Sequence, residues 1–224
     1  QTSFSYQPDS DVVYSDLGFL LLGWAIEKAS GLSLEQSIQK LVLTPLRLPH
    51  SGYRPLDEDF HALLPLPSDG AAPTGICRWR NRRLNGEVDD ENSAFLHGVS
   101  GHAGLFGTAE DLAAFGSVFL MGSSFLPATA MDEMTRSQAI SKDGLMNRGL
   151  GFQRWSPDPT ASFAPLSRQT FGHTGFTGTA LWIDPQRELV IALLTNEVYN
   201  GRFNRKIAPF RLEVSKTILE EMEK

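Results

Sequence analysis

The sequence predicts an α+β fold in which helices cover an antiparallel sheet. Three observations support this prediction: apolar residues at helical spacing near the start, two β-rich segments joined by a short turn, and an amphipathic stretch at the end. Helices followed by a hairpin and a closing helix are typical of this class. The chain has 224 residues, 41% of them hydrophobic, which is enough for one sizeable core or for two small subdomains. Its formal net charge is −6.

Two helices are predicted before residue 50. The first is indicated by apolar residues at helical spacing, namely Leu17, Leu20, Leu21 and Trp24. Gly31 follows as a stop signal. Ser33 and Gln36 then form a capping-box pattern that opens a second helix, which is expected to run to about Leu43.

The middle of the chain has weaker patterns. Residues 50–107 are rich in Gly, Pro, Asp and Asn, so we expect a long, ordered, irregular segment. Thr108 is predicted to cap a third helix that extends to Met121, with acidic residues in its first turn. Pro127 is a favourable first position for another short helix.

The predicted sheet lies near the C-terminus. Residues 179–185 and 188–196 form a hairpin, and the segment around Phe171 supplies a third strand. A C-terminal amphipathic helix is predicted to pack on that sheet through Ile207, Phe210, Val214, Ile218 and Met222. We therefore expect one domain, with residues 1–165 mainly helical or irregular and residues 166–224 forming the sheet and its helix.

Charge and cysteine content argue against several function classes. Basic residues are scattered apart from residues 78–83, so no nucleic-acid partner is expected. The longest apolar run, residues 17–26, is too short to span a bilayer, so no transmembrane segment is expected. Cys77 is the single cysteine, which precludes an intrachain disulfide and leaves a bacterial cytoplasmic, periplasmic or extracellular location open.

Two polar clusters are candidates for carrying the chemistry. Residues 14–16 read Tyr-Ser-Asp just before the first helix, and residues 170–178 read Thr-Phe-Gly-His-Thr-Gly-Phe-Thr-Gly. Glycines weaken a strand unless something approaches its backbone closely, so Gly172, Gly175 and Gly178 are interpreted as clearing space for a ligand. The simpler alternatives are a helix N-cap for the first cluster and a β-bulge or tight bend for the second.

Together the two clusters resemble the serine β-lactamase and penicillin-binding-protein superfamily, most of all its class C, esterase and DD-peptidase-like branch. There the second motif reads Tyr-x-Asn or Tyr-Ser-Asp and the third reads Lys-Thr-Gly or His-Thr-Gly. Residues 14–48, 101–116 and 172–196 are similar to the second-motif helix pair, a Gly-rich turn with its helix, and the third-motif hairpin. The resemblance covers nearly the whole chain and implies the β-lactamase/transpeptidase-like fold, of which this chain would be the C-terminal part.

A more specific likeness lies in the irregular segment. Residues 86–106 are similar to a signature, Gly-Glu-Val-His-Asp-Glu-Asn-Ala followed by Gly-His-Ala-Gly-Leu-Phe, of serine amidases that act on N-acetylmuramoyl-peptides. Two positions depart from it. Asp89 stands where His is usual, and residues 73–75 read Pro-Thr-Gly where Pro-Thr-Glu is expected.

The resemblance implies roles for the residues of both clusters. Tyr14 would relay protons near the nucleophile as part of the general base, and Asp16 would contact the substrate amide or the family's lysine. His173 and Thr174 would contact the substrate's carboxylate or leaving group. The backbone amide of Phe176 would be one of two oxyanion-hole donors.

Further residues are expected around the substrate. Gly175 would line it, Glu91 and Asn92 would line the cleft, and His102 would organise the turn below it. Clustered acids and Asn are also common in solvated turns, which is the alternative for Glu91 and Asn92. His97 and His102 lack the usual zinc spacing and no third ligand is indicated, so neither a metal nor an organic cofactor is expected.

The superfamily's first motif, Ser-x-x-Lys, should precede the second. The one match, Ser37 to Lys40, follows it on a helix whose surface should be solvated, so we reject Ser37 as the nucleophile. The chain starts at Gln1, and we expect the C-terminal part of a longer hydrolase whose missing N-terminal segment is its partner. The fragment alone should be inactive and should expose an apolar sheet edge.

The predicted function is acyl-enzyme hydrolysis of an amide or ester by the full-length protein, on a small-molecule or peptidoglycan-derived substrate. Cell-wall muramoyl-peptides are the leading candidates. A small-molecule esterase or true β-lactamase is the second interpretation, which a kinetic comparison of peptide amides with strained lactams distinguishes. A non-catalytic binding module of the same fold is the third, favoured if no Ser-x-x-Lys is encoded upstream.

Overall fold

The computed structural model describes residues 6–7, 10–66, 70–120, 125–159, 161–203 and 206–224. Its α-helices are α1 (Asp16–Ser30), α2 (Leu34–Ile38), α3 (Glu91–Phe95), α4 (Ala109–Ser117), α5 (Ala128–Thr135) and α6 (Ile207–Met222). Its strands are β1 (Gly52–Tyr53), β2 (Ile76–Cys77), β3 (Arg82–Arg83), β4 (Leu105–Phe106), β5 (Ala139–Ile140), β6 (Asn147–Arg148), β7 (Gln153–Arg154), β8 (Phe171–Thr174), β9 (Ala180–Asp184) and β10 (Leu189–Leu193).

The main sheet has six antiparallel strands in the order β10-β9-β8-β7-β6-β5. The predicted hairpin and third strand are confirmed, because β9 pairs with β10 on one side and with β8 on the other. The sheet also begins earlier than residue 166, since β5, β6 and β7 extend it. Two-residue strands are too short to show an alternating pattern, which is why this part reads as irregular in the sequence.

Both faces of the sheet are covered, so the central strand β9 is buried along its whole length. Leu181 and Ile183 pack on one face with Phe171 and with residues of α4. Ala180 and Trp182 pack on the other face with Phe163 and with residues of α6. Successive residues of a strand point to opposite faces, so β9 joins the two cores.

The local signals at the first two helices are confirmed. The N–H of Gly18 donates to Oγ of Ser15, which is the N-cap of α1, and Gly31 ends the helix at φ +70°. Ser33 and Gln36 form both bonds of the capping box, and α2 continues as a π-helical turn over Gln39–Leu43. Thr108 caps α4 as predicted, but the helix ends at Ser117 and residues 118–120 form a turn, so the predicted extension is wrong there; Met121 lies outside the described residues.

The helix α1 packs by its backbone rather than by its apolar side chains. Gly23 is its buried residue and lies against Leu34 and Gly101, whereas Leu21 and Trp24 are 66% and 59% exposed. Among the described helices, none alone is long and apolar enough to cross a bilayer. Only α1 together with residues 34–43, a pair bent by 75°, has the required length and composition.

The C-terminal helix covers the sheet as predicted, through part of the predicted stripe. Ile218 of that stripe and the adjacent Leu219 pack on the core, whereas Phe210 and Met222 of the stripe are exposed. Arg211 is also buried, and it donates to the carbonyl oxygens of Gly175 and Thr179 in the turn after β8.

Candidate active site

The two polar clusters meet although they lie at opposite ends of the chain. Tyr14 immediately precedes the N-cap of α1, and His173 lies in β8. The centroids of the phenol and imidazole rings are 5.9 Å apart. Tyr14 is 47% exposed, so a ligand can reach the residue.

Arg148 completes this cluster from β6. Its guanidinium lies 5.6 Å from the centre of the Tyr14 ring, and Nη1 lies 3.2 Å from Nε2 of His173. Nδ1 of His173 is 2.8 Å from the carbonyl oxygen of Thr174, which can only accept. Nδ1 therefore carries the proton, and Nε2 accepts the hydrogen bond from Arg148.

The positive charge of the cluster consequently resides on Arg148. Burial lowers the pKa of His173 below its ordinary value, the bond to the Thr174 carbonyl opposes this, and the charge of Arg148 lowers the pKa further. His173 is thus neutral near pH 7. Burial also lowers the pKa of Arg148, but a guanidinium remains charged in proteins.

Tyr14 is held in its protonated form. Burial raises the pKa of its phenol, and a hydrogen bond to Asp16 and the negative charge of Asp16 raise it further, against the opposing charge of Arg148. A phenol with a raised pKa donates or relays a proton near neutral pH rather than acting as a free phenolate. Asp16 is therefore an acceptor for Tyr14.

The turn that follows β8 is held by hydrogen bonds to its backbone. The N–H of Gly175 donates to the Thr179 carbonyl at 2.8 Å, and Nη2 of Arg211 donates to the Gly175 carbonyl at 3.1 Å. Phe176 lies in this turn, with its ring half exposed and the Arg202 guanidinium 5.3 Å from the ring centre. The position of the Phe176 amide is thereby set by contacts on both sides of the turn.

Arg202 pairs with two acidic residues: Glu91, which is expected to line the cleft, and Asp89. It forms ion pairs with Asp89 at 3.1 Å and with Glu91 at 2.8 Å. Glu91 therefore faces a protein cation, while Asn92 lies exposed on α3. The N–H of Gly75 points to Oδ1 of Asp89 at 3.4 Å, so the two departures from the amidase signature are neighbours in space.

The side chain of His102 is not accessible to a ligand. Its side chain is 2% exposed, Nε2 lies 2.8 Å from Asp90, and Nδ1 lies 2.6 Å from Oγ of Ser100. Asp90 in turn caps α3 by accepting from the N–H of Ser93. Both ring nitrogens are engaged, so His102 positions the segment that carries Glu91 and Asn92.

The glycines in and after β8 are required by close packing within the hairpin. A Cβ at Gly172 would collide with the Leu181 carbonyl of β9, and one at Gly175 would collide with the Thr179 hydroxyl. The space on the Cβ side is therefore filled by the hairpin itself. The expectation that these glycines also admit a ligand stays a prediction.

Ser37 is buried between the first two helices. Its Oγ lies 2.8 Å from Oγ of Ser30, and the residue is 1% exposed, whereas Lys40 lies at the surface. The sequence placed Ser37 on a solvated helix surface, and this is wrong. Its burial gives a stronger reason to exclude it as a nucleophile.

Sequence reasoning missed Arg148 and Arg202. A single arginine carries no local pattern, and both act through partners distant in sequence: His173 for one, Asp89 and Glu91 for the other. The sequence offers no local signal for either residue.

Comparison with known proteins places this geometry in context. Residues 1–216 match the β-lactamase family. A protein of Salmonella paratyphi B named "Putative D-alanyl-D-alanine carboxypeptidase" is 33% identical, over 93% of this chain and 50% of its own length. The chain thus spans about half the length of the curated relatives it matches.

Solved structures show the same fold. A β-lactamase from Mycobacterium bovis superposes with a TM-score of 0.64 and 21% identity, over 96% of this chain and 66% of the other. An octameric penicillin-binding protein homologue from Pyrococcus abyssi gives a TM-score of 0.68 and 20% identity, over 96% and 44%. With helices on both faces of an antiparallel sheet and a family match over nearly its full length, the chain belongs to the β-lactamase family.

Proposed function

We propose that this chain is the substrate-binding half of a serine hydrolase that works through an acyl-enzyme and cleaves a peptide amide near a free carboxylate. The proposal is carried by one observation: the ring of Tyr14, which can move a proton, has its centre 5.9 Å from that of the His173 ring and 5.6 Å from the guanidinium of Arg148, which is hydrogen-bonded to His173. Proton transfer and anion recognition are thus available at the same point of the cleft.

Tyr14 acts as the proton relay. A serine Oγ attacks the amide carbon, and the C–N bond breaks as the phenol passes its proton to the leaving nitrogen. The phenol regains a proton from the serine, so it ends the step unchanged. Asp16 supports this role because it accepts a hydrogen bond from the phenol and keeps it protonated until the leaving group needs the proton.

Arg148 recognises the negatively charged end of the substrate. A guanidinium binds a carboxylate through two parallel hydrogen bonds, and the neutral His173 cannot supply that charge itself. His173 orients Arg148 through Nε2, and Thr174 and Gly175 extend the same wall of the cleft. The name of the Salmonella relative refers to a peptide with a C-terminal carboxylate, which favours a peptidoglycan-derived substrate.

The oxyanion of the tetrahedral intermediate is assigned to the backbone amide of Phe176 together with that of the serine. One such donor contributes about 3 kcal/mol of transition-state stabilisation. The turn at residues 175–178 is anchored by Arg211 and bordered by Arg202, which supports a fixed position for this amide. The nucleophile is assigned to a Ser-x-x-Lys outside these 224 residues, because Ser37 is buried.

The test compares the full-length protein with the 224-residue chain. The substrates are a muramoyl-peptide ending in D-alanyl-D-alanine and the same peptide with a C-terminal amide. We expect the full-length protein to hydrolyse the peptide with the free carboxylate and to have a much lower kcat/KM on the C-terminal amide. The 224-residue chain should hydrolyse neither peptide. Arg148→Gln should lower kcat/KM on the acid roughly 10- to 100-fold and remove the preference.

Arg168→Gln is the matched control, because it removes an exposed guanidinium that lies against Trp155 outside the cluster, and it should leave kcat/KM unchanged. No acylation or hydrolysis of either peptide by the folded full-length protein would contradict the proposal. Faster turnover of nitrocefin or a simple ester than of either peptide would instead favour a lactamase or esterase.

A further inference from the structure

Three polar side chains form a hydrogen-bonded chain that takes no part in the acylation step. Oγ of Ser100 lies 2.6 Å from Nδ1 of His102, and Nε2 of His102 lies 2.8 Å from Oδ1 of Asp90. A hydroxyl and an imidazole arranged in this way can hold a carboxylate in place as a proton acceptor. The inner end of the chain is closed, because Ser100 is 3% exposed and the side chain of His102 is 2% exposed. Any contact with a substrate or a water molecule must therefore take place at Asp90.

Asp90 presents one carboxylate oxygen to solvent. The N–H of Ser93 donates to Oδ1 at 2.7 Å, and the bond from His102 reaches the same oxygen. Within the part of the chain that the structure describes, no hydrogen bond or ion pair reaches Oδ2, and this atom is not buried. The side chain is 32% exposed. Two bonds thus fix the carboxylate through Oδ1 and leave Oδ2 as an accessible acceptor.

Asp90 lies near Tyr14. Gly101, which precedes His102, packs so closely on the Phe19 carbonyl of α1 that a Cβ would collide with it, and the Phe19 ring centroid lies 6.1 Å from that of Tyr14. The pair formed by His102 and Asp90 is therefore packed beside the first turn of α1. Burial is the largest cause that raises the pKa of Tyr14, and the negative charge of Asp90 is one of the causes that add to it. The carboxylate thus acts on the phenol through space.

The residues on either side of Asp90 in sequence are linked to the turn that is assigned to the oxyanion. Asp89 and Glu91 both pair with Arg202, whose guanidinium lies 5.3 Å from the centre of the Phe176 ring. Asp90 therefore belongs to the segment that connects the surroundings of the phenol with the turn that carries the Phe176 amide.

The hydrolysis of an acyl-enzyme needs a base that takes a proton from the attacking water. Tyr14 is held in its protonated form, so its phenol is not that base. His173 carries its proton on Nδ1 and accepts from Arg148 at Nε2, so both ring nitrogens are engaged. Asp16 accepts the hydrogen bond of the phenol and must stay ionised to keep it. Asp90 is the carboxylate near the phenol that is not needed to hold Tyr14.

We propose that Asp90 is the general base of deacylation, an inference that rests on the proposed hydrolase function. The water oxygen attacks the ester carbon of the acyl-serine while Oδ2 of Asp90 takes one of the water protons. The bond between that carbon and the serine Oγ then breaks, and Oγ receives the proton from Asp90. The products are the free acid and the serine hydroxyl, and Asp90 is again ionised. His102 and the N–H of Ser93 hold Oδ1 throughout the step and so keep the carboxylate in place.

The test measures acylation and deacylation separately in the full-length protein, by rapid quench and mass spectrometry with the muramoyl-peptide that ends in D-alanyl-D-alanine. Asp90→Asn keeps the size of the side chain and the acceptor at Oδ1. We expect this variant to form the acyl-enzyme at nearly the rate of the unsubstituted protein and to hydrolyse it about 10²- to 10⁴-fold more slowly, so that the acyl-enzyme accumulates. Hydroxylamine, which attacks an ester without the help of a base, should release the accumulated acyl group.

A second variant separates the chemistry from the role of Asp90 as a helix cap. Asp90→Thr keeps a capping oxygen for α3 but has no carboxylate, so it should accumulate the acyl-enzyme as Asp90→Asn does. Asp57→Asn is the matched control, because Asp57 also accepts two hydrogen bonds at Oδ1, from the N–H groups of Asp59 and His61, and these partners lie outside the cluster assigned to hydrolysis. Both rates should stay unchanged in this control.

The outcomes distinguish this proposal from the one on which it rests. Unchanged deacylation in either folded Asp90 variant would overturn the role of Asp90 and leave the hydrolase proposal standing. An equal loss in acylation and deacylation would also overturn it, because that result indicates a structural role. If the unsubstituted full-length protein forms no acyl-enzyme, both proposals fail.

Discussion

The guanidinium of Arg148 donates to Nε2 of His173 at 3.2 Å, across the intervening strand β7. This one bond determines where the charge of the site lies. It fixes the neutral tautomer of His173 with the proton on Nδ1, which the Thr174 carbonyl accepts. The His-Thr-Gly motif thus combines a neutral imidazole with a cation from another strand.

Arg148→Gln should raise the pKa of His173. The positive charge of Arg148 lowers this pKa, so its removal favours the imidazolium. Burial is the larger cause and persists in the variant, so the pKa should remain below 6.5. An NMR titration of the His173 ring measures this, with the exposed His61 as internal reference. An unchanged pKa in the variant would mean that the two side chains do not interact in solution.

His173 should also make the stability of the chain depend on pH. Its pKa is lower in the folded chain than the ordinary 6.5, so the unfolded chain binds the proton more readily. The stabilisation is complete above pH 6.5 and is lost as the pH falls from there through the lower folded-state pKa. The free energy of unfolding of His173→Gln should therefore fall less over this range than that of the unsubstituted chain, as urea titrations at several pH values would measure. Parallel profiles would contradict the burial of a neutral His173.

Asp16→Asn should lower the pKa of Tyr14. Burial is the largest of the causes that raise this pKa, and the hydrogen bond to Asp16 and the negative charge of Asp16 raise it further. The variant keeps the side-chain size and should move the pKa toward 10.0 without reaching it. Tyrosine labelled with ¹³C at Cζ reports each phenol separately. Tyr53, whose pKa burial raises to about 12, should not change and is the control.

The parts of the fold that could be predicted are those with local causes. The caps of α1 and α2 follow from single side chains, and the hairpin of β9 and β10 follows from two β-rich segments with a short turn between them. By contrast, β5, β6 and β7 have two residues each and exist because neighbouring strands supply their hydrogen bonds. No local pattern encodes such strands.

The residues of the candidate site also fall into those that the sequence predicts and those that it does not. Tyr14 and His173 could be found because each lies in a recognisable motif, and the fold brings them together. Arg148 and Arg202 could not, because their partners come from other strands and loops. The pairing of Glu91 with Arg202 shows that an acidic residue in a family motif can serve the scaffold of a site.

Arg202→Gln should destabilise the chain. The variant leaves the Asp89 carboxylate, whose side chain is 5% exposed, with little more than the N–H of Gly75 at 3.4 Å. An uncompensated buried acceptor is unfavourable by about 1–3 kcal/mol, which urea unfolding can measure. Adding Asp89→Asn should recover part of the loss, because the buried charge is then gone. If the double variant is no more stable than Arg202→Gln, the pair is not the source of the effect.

Gly172→Ala should destabilise the chain more than an ordinary glycine substitution. The added Cβ would meet the Leu181 carbonyl oxygen and would lie 2.7 Å from Cε3 of Trp182. Strands β8 and β9 would have to separate, and overpacking of this kind costs about 1–3 kcal/mol. The matched control is Gly52→Ala, where no heavy atom lies within 4 Å of the new Cβ and the free energy of unfolding should hardly change. Equal stability of the two variants would show that β8 and β9 tolerate separation, and the anchored position of the Phe176 turn would then lack its support.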